Sequence, residues 1–173
     1  MIAAVVAVDK NYAIGKNGGM LASIRGDLKM FRELTHGHIV LMGRKTFEAL
    51  PAGPLPDRKN IVISSKAQGK WTEAAHEKGR YYLCSMENAK QMLAACGEET
   101  FFVIGGGMIY RELLPFCQRV YLTMIYEAFD GADTYFPFID AMEEWKKTAC
   151  GDVQQENGLK YQFFVYDKEK TVR

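Results

Sequence analysis

The chain reads as an α/β protein, a single domain built on a mostly parallel sheet with flanking helices. Three observations predict this. Short segments rich in valine and isoleucine are apolar throughout, as strands covered on both faces are: Ile2–Val8 (IAAVVAV), 38–42 (HIVLM), 60–64 (NIVIS) and 100–104 (TFFVI). Helical stretches stand between them. The last part of the chain alternates instead, over 146–153 and 160–168, and turns at Glu156-Asn157-Gly158, which predicts an antiparallel hairpin at the sheet edge.

Taken in order, the first strand ends at Asp9-Lys10-Asn11, and Gly15, Gly18 and Gly19 predict a long mobile loop. A helix follows, in which Asp27, Phe31 and Leu34 share one stripe with Leu28 beside them, while Lys29, Arg32 and Glu33 face away. Gly37 stops it. After the second strand, Gly43 turns into a short helix, RKTFEAL, that ends at Pro51. Residues 51–59 hold three of the five prolines and predict a stiff surface excursion. Beyond the third strand, the polar stretch to Gly79 reads as loop with a helical turn. Residues 80–84 read as a strand, and 86–95 as a helix with Ser85 as its N-cap. The fourth apolar strand runs into Gly105-Gly106-Gly107 and a helix closed by Pro115, and Arg119–Ile125 is a further strand.

A net charge of +1 argues against a protein organised around a nucleic-acid backbone or an anionic membrane, and leaves room for a local anion site. No later run approaches membrane-spanning length, and Ile2–Val8 lacks the basic flank and cleavage site of an export signal, so a cytoplasmic location is expected. Cys84, Cys96, Cys117 and Cys150 never form a C-x-x-C pair and read as core thiols in a reducing compartment. His36, His38 and His76 have no acid or thiol at ligand spacing, and no metal role is expected.

Two strand-to-helix turns suit phosphate. In IVLMGRKTF the strand ends at Gly43, and Arg44, Lys45 and Thr46 occupy the next helix's first turn, where free N–H groups favour an anion. In FFVIGGGMIY three glycines let backbone approach a ligand before the helix begins, although the G-x-G-x-x-G fingerprint is absent. The plain reading of either is a tight connection. Together they lie at the carboxyl ends of buried strands, the edge where open α/β sheets bind ligands. Ser64 and Ser65 end a third strand there and, beside Arg44, would suit a further phosphate such as the 2′-phosphate of NADP; the plain reading is a strand terminus. For Asp27, the residues alone favour a first-turn acid offsetting the helix dipole. The functional alternative is a carboxylate in an apolar cleft with its pKa raised by desolvation. Arg58 is either a solvated loop arginine or a planar cation held out by prolines to grip a carboxylate at two points.

With VAVD, AIGKNGGM, DLKMFRELT, VLMGRKTF, LPDRKNIVISS, FVIGGGMIY, VYLTMI and GADTYFP in this order, the chain resembles dihydrofolate reductase over nearly its full length. The resemblance implies one domain over 1–173, with an eight-stranded, mostly parallel sheet, a C-terminal antiparallel hairpin, and an adenosine-binding subdomain at roughly 38–98. It implies NADPH as cofactor, dihydrofolate and antifolates as ligands, a monomer, and a part in one-carbon metabolism through tetrahydrofolate. Asp27 would hold the pterin edge, with Thr123 joining through a water. Leu28, Phe31, Leu50 and Leu55 would line the pterin and benzoyl pocket, Val6 and Ile104 would offer carbonyls, and Arg58 would pair with the glutamate tail. Ala7, Ile14, Gly15 and Met20 would border the nicotinamide, with Asp133 steadying the Met20 loop. Gly43, Arg44, Lys45 and Thr46, with Gly105, Gly106, Gly107, Met108, Ile109 and Tyr110, would hold phosphates and ribose, and Ser64 with Arg44 would face the 2′-phosphate.

The chain departs from the family pattern after the loop methionine. Leu21-Ala22 stands where Pro-Trp is usual, which removes an indole donor and should loosen the loop. Arg25 stands where proline is common and would place a cation close to Asp27, favouring its ionised form. Two rivals remain. A riboflavin-pathway pyrimidine reductase on the same fold is opposed by Asp27, Phe31 and Arg58, since its substrate has no glutamate tail. An idle nucleotide- or RNA-binding module is opposed by the balanced charge.

Overall fold

In a computed structural model, described for residues 1–169, the elements are β1 (Ile2–Val8), β2 (Ala13–Lys16), β3 (Gly19–Met20), α1 (Arg25–Thr35), β4 (Ile39–Gly43), α2 (Arg44–Glu48) and β5 (Lys59–Ile63). Next come β6 (Thr72–His76), β7 (Gly79–Cys84), α3 (Met86–Ala94), β8 (Phe101–Val103), α4 (Gly107–Leu113) and β9 (Arg119–Ile125). The chain closes with β10 (Thr134–Tyr135), β11 (Trp145–Cys150), β12 (Gln154–Glu156) and β13 (Leu159–Lys168).

The main sheet runs β11-β13-β9-β1-β8-β4-β5-β7-β6, with β12 against β13. Six strands, β9 to β7, are mutually parallel. The interiors of β1, β4, β5 and β8 are buried on both faces, which is why they lack alternation. The expected mostly parallel α/β sheet with its C-terminal hairpin is therefore present. Among the described residues its strands number ten rather than eight. The additions are β12 and β6, the latter from the stretch read as loop. Its sequence, TEAAH, is polar because it is an edge strand, antiparallel to β7.

The expected mobile loop at Gly15–Gly19 is also structured. β2 and β3 form a two-residue hairpin whose Asn17 and Gly18 both have positive φ (51° and 78°), and β10 pairs with β2 to complete a small second sheet. Asn-Gly is the residue pair such a turn demands. The Asn157-Gly158 turn of the C-terminal hairpin repeats the device (φ 49° and 79°).

Ser85 caps α3 as expected, its hydroxyl accepting the Asn88 N–H at 3.1 Å. The cysteines divide. Cys84 and Cys117 are core thiols and Cys96 is half-buried, but Cys150 lies exposed on β11, an edge strand with its outer residues in solvent.

Candidate functional site

β8 is the shortest strand of the parallel group, and its shortness creates the site. Val103 pairs with Ala4 on one side and Leu41 on the other, after which β8 ends while β1 and β4 continue. The sheet is notched at its carboxyl edge above Val103, with Val5 on one wall and Gly43 on the other.

Side chains on one face of this notch form a cluster of Val5, Ile104, Phe31, Leu34, Leu50 and Leu55. α1 lies over it. Thr35 at the end of that helix is fully buried, whereas Leu28 is 40% exposed and Met20 62%, so both stand at the rim. Asp27 sits in the first turn of α1 but makes no capping bond there. Its Oδ1 instead accepts the hydroxyl of Thr123, a buried residue of β9, at 2.6 Å. Burial pushes the Asp27 carboxyl above the ordinary aspartate value, and the Thr123 hydrogen bond opposes part of that rise. The partial burial and raised pKa match the environment that the functional alternative for Asp27 describes.

Arg25 does not act as expected. Its guanidinium Nε lies 3.6 Å from Glu156 Oε1, with the side chain in solvent, and burial rather than a cation governs Asp27. Ala22 is half-buried and packs against the cluster of Ile24, Ile125 and Tyr161.

The expectation for Val6 is also corrected. Along β1, Met1 O accepts from Phe101 on the β8 side, and Ile2 O accepts from Gln118 on the β9 side. Backbone groups in a parallel strand alternate sides, so Val6 directs its carbonyl into the β9 pairing and Val5 directs its own toward the notch. Val5 O there accepts the Tyr110 hydroxyl at 2.7 Å. The one-residue offset also puts the Val6 side chain in the core cluster on the opposite face. The apolar run of β1 holds no alternation from which this parity could be read. Ala7 shares Val5's parity and is half-buried. The Ile104 N–H is bonded to Leu41 O at 2.9 Å.

The two glycine turns meet. Gly43 N–H donates to Gly105 O at 2.8 Å, and a Cβ on Gly43 would lie 3.0 Å from Ile109 Cγ1. A Cβ on Gly106 would lie 3.5 Å from the Thr46 hydroxyl, and Gly105 has a φ of 117°. Neither α2 nor α4 has a side-chain N-cap, so first-turn N–H groups at both turns remain for an anion. Arg44 and Lys45 stand exposed at the first turn, with Arg44 bonded to Glu48 at 2.7 Å. Such a cradle fits the phosphates of a dinucleotide. Ile109 and Tyr110 contribute packing rather than exposed side chains, since both are buried, while Met108 is 61% exposed. Gly43 is in register with Ile63, so Arg44 and Ser64 follow side by side. Ser64 is buried and its hydroxyl accepts the Lys66 N–H at 3.2 Å, the plain terminus reading, which leaves Ser65 as the exposed hydroxyl.

Arg58 is held by three bonds: Nε to Thr35 Oγ1 (2.8 Å), one terminal nitrogen to Arg32 O (3.2 Å) and the other to Pro56 O (2.5 Å). A guanidinium has five N–H donors, so two remain in a fixed orientation at the end of α1. Asp133 accepts the Asn17 N–H at 2.8 Å, and its own N–H donates to Gly15 O, so it anchors the hairpin that carries Met20.

Known proteins match this arrangement from end to end. The family model described as dihydrofolate reductase matches residues 1–168. The chain belongs to the dihydrofolate reductase family. It is 36% identical to the dihydrofolate reductase of Bacillus subtilis (strain 168), covering 99% of this chain and 96% of that one. It is 32% identical to that of Staphylococcus haemolyticus, covering 96% and 95%. Among solved structures, a dihydrofolate reductase from Enterococcus faecalis, complexed with NADP(H) and RAB-propyl, superposes with a TM-score of 0.79 at 33% identity, covering 98% of this chain and 97% of that one. Within the dihydrofolate reductase frame, the residues that sequence reasoning missed are Val5, Tyr110 as its hydroxyl partner, and Glu156. The last two make contacts across 105 and 130 residues that no local pattern signals.

Proposed function

We propose that the chain catalyses NADPH-dependent reduction of 7,8-dihydrofolate to 5,6,7,8-tetrahydrofolate, with Asp27 as the pterin anchor. Family membership supports the reaction, and the observation that carries the anchor role is the half-buried, partly desolvated Asp27 carboxylate, with Thr123 as its donor. A carboxylate there accepts from the amino group and ring nitrogen on one pterin edge, and its unscreened charge stabilises positive charge developing on the ring. Because Asp27 holds that edge, the nitrogen beside the reduced carbon lies across the ring and takes its proton from water admitted past Met20. Val5 and Ile104 present backbone to the far edge. Phe31, Leu50 and Leu55 exclude water along the benzoyl group, and Arg58 holds the tail carboxylate with its two remaining donors.

NADPH, when bound, supplies the hydride. Gly43 to Thr46 and Gly105 to Tyr110 hold its phosphates through backbone N–H groups and the Thr46 hydroxyl. Ala7, Ile14, Gly15 and Met20 border the nicotinamide. Arg44 with Ser65, and Ser64 beneath, face the 2′-phosphate, which makes residues 38–98 the adenosine-binding part. A monomer acting in the cytoplasm on small-molecule ligands, including antifolates, completes the reading. No helix among the described residues is long and apolar enough to cross a membrane.

The test is NADPH oxidation in the presence of dihydrofolate between about pH 5 and 8. Turnover that Asp27→Asn lowers by about 100-fold or more is the expected result. Absence of turnover throughout, with cofactor still bound, sinks the reading.

A further inference from the structure

α1 starts without help from its own sequence. Its N-cap is Ile24, in extended conformation with no side chain able to accept a bond. The missing acceptor comes from the other end of the chain. Glu156, the last residue of β12 before the Asn157-Gly158 turn, accepts the Gly26 N–H on Oε2 at 3.3 Å. Its Oε1 lies 3.6 Å from Arg25 Nε. One carboxylate therefore caps the helix in trans and turns Arg25 away from the notch.

The rest of the hairpin is shaped to bring that carboxylate there. Gln154 pairs with Tyr161 across β12 and β13, and the Tyr161 hydroxyl donates to Gln154 Oε1 at 3.0 Å. Tyr161 is 3% exposed and lies so close to α1 that a Cβ on Gly26 would fall 2.1 Å from its oxygen. Any larger residue at position 26 would push the first turn off the hairpin.

The next residue is Asp27. Near its carboxyl stand Thr123 from β9 and the phenols Tyr110 from α4 and Tyr161 from β13, while Arg25 and Glu156 pair with each other at the helix start, with the Arg25 side chain in solvent. Lys29 on the same helix is directed to Glu33 at 3.9 Å. The cation nearest in sequence and the positive end of the helix are both answered by Glu156. Remove that charge, and both bear on Asp27.

We propose that Glu156 is a positioning residue for Asp27: it fixes the first turn of α1 and keeps the Arg25 charge from the acid, so that Asp27 meets substrate as a desolvated, singly donated carboxylate. The proposal rests on the reading of Asp27 as pterin anchor, and its test separates the two.

The measurement is the titration midpoint of Asp27, followed by the 13C carboxyl resonance and, in parallel, by the inflection of the pH–rate profile with dihydrofolate. Glu156→Gln keeps an oxygen for the Gly26 N–H and loses only the charge. The midpoint is expected to fall by about half a pH unit, and Arg25→Gln added to Glu156→Gln is expected to restore most of the shift. Glu156→Ala should show the same fall together with a raised KM for dihydrofolate, as the turn loosens. An unchanged resonance midpoint in Glu156→Gln overturns the proposal, even if the variant melts earlier, because Glu156 is then a cap and nothing more. A fall that Arg25→Gln does not reverse overturns it as well. If the resonance moves while the rate profile stays still, the positioning holds and the anchor role of Asp27 fails.

Discussion

The Thr123 hydroxyl donates to Asp27 Oδ1 at 2.6 Å across 96 residues, joining the central sheet to the first turn of α1. It is a charge-assisted bond inside a cleft, and it is the one contact that lowers the Asp27 pKa against burial. Thr123→Val keeps the shape and removes the donor. The Asp27 midpoint is expected to rise, moving the inflection of the pH–rate profile upward, with kcat/KM at neutral pH down about tenfold. Thr123→Ser should stay near the parent in both.

Asp27→Asn is expected to cost about 100-fold or more in kcat/KM with little change in cofactor affinity. Stability should move the other way. Burial raises the carboxyl pKa in the folded protein, so the folded state holds this proton more tightly than the unfolded chain. Stability therefore falls as pH climbs from the ordinary value of about 3.8 through the folded value, and stays lower above it. Asn has no charge to desolvate. The Tm of Asp27→Asn should exceed the parent's at about pH 8 and converge toward it near about pH 3, a comparison calorimetry makes directly.

How much of this was legible in the sequence depended on the range of the interaction. Strands buried on both faces announced themselves by composition, and Ser85 and Gly37 marked helix ends by local chemistry. β6 carries no strand signal because an edge strand is polar, and the β2–β3 hairpin hides among glycines that suggest freedom, although Asn17-Gly18 specifies a turn. In the site, Asp27, Arg58 and the two glycine turns could be named because each stands in a distinctive local setting. The exchange of Val6 for Val5 turned on strand parity, which a uniformly apolar segment does not display. Arg25 was aimed at Asp27 by proximity in sequence, and the structure gives it to Glu156 from the far hairpin.

Arg58 owes its orientation to Thr35 and the carbonyls of Arg32 and Pro56. Arg58→Lys removes the planar fork as well as these supports. KM for dihydrofolate should rise about 10- to 100-fold, while a dihydropterin lacking the glutamate tail should be turned over as before. Equal losses for both substrates would show that Arg58 serves the helix end rather than the tail.

Gly43 is packed against Ile109 so closely that a methyl group needs the neighbour to yield. Gly43→Ala should stretch the Gly43–Gly105 hydrogen bond, raise KM for NADPH several-fold and destabilise the fold by about 1–3 kcal/mol. Ile109→Val removes a terminal methyl from the crowded side chain. Combined with Gly43→Ala it should recover part of both losses, and failure to recover would place the strain elsewhere.

The bond from Tyr110 to Val5 crosses the notch between β1 and α4, the helix that follows the second glycine turn. Two ligands seated on opposite sides would share one mechanical strut, and any displacement of that strut by the first is felt by the second. Linkage then requires a debt repaid in equal measure: the factor by which cofactor alters folate affinity is the factor by which folate alters cofactor affinity. Tyr110→Phe cuts the strut and leaves the ring in place. Titration calorimetry on each ligand, alone and in the other's presence, should show the two coupling factors shrinking together.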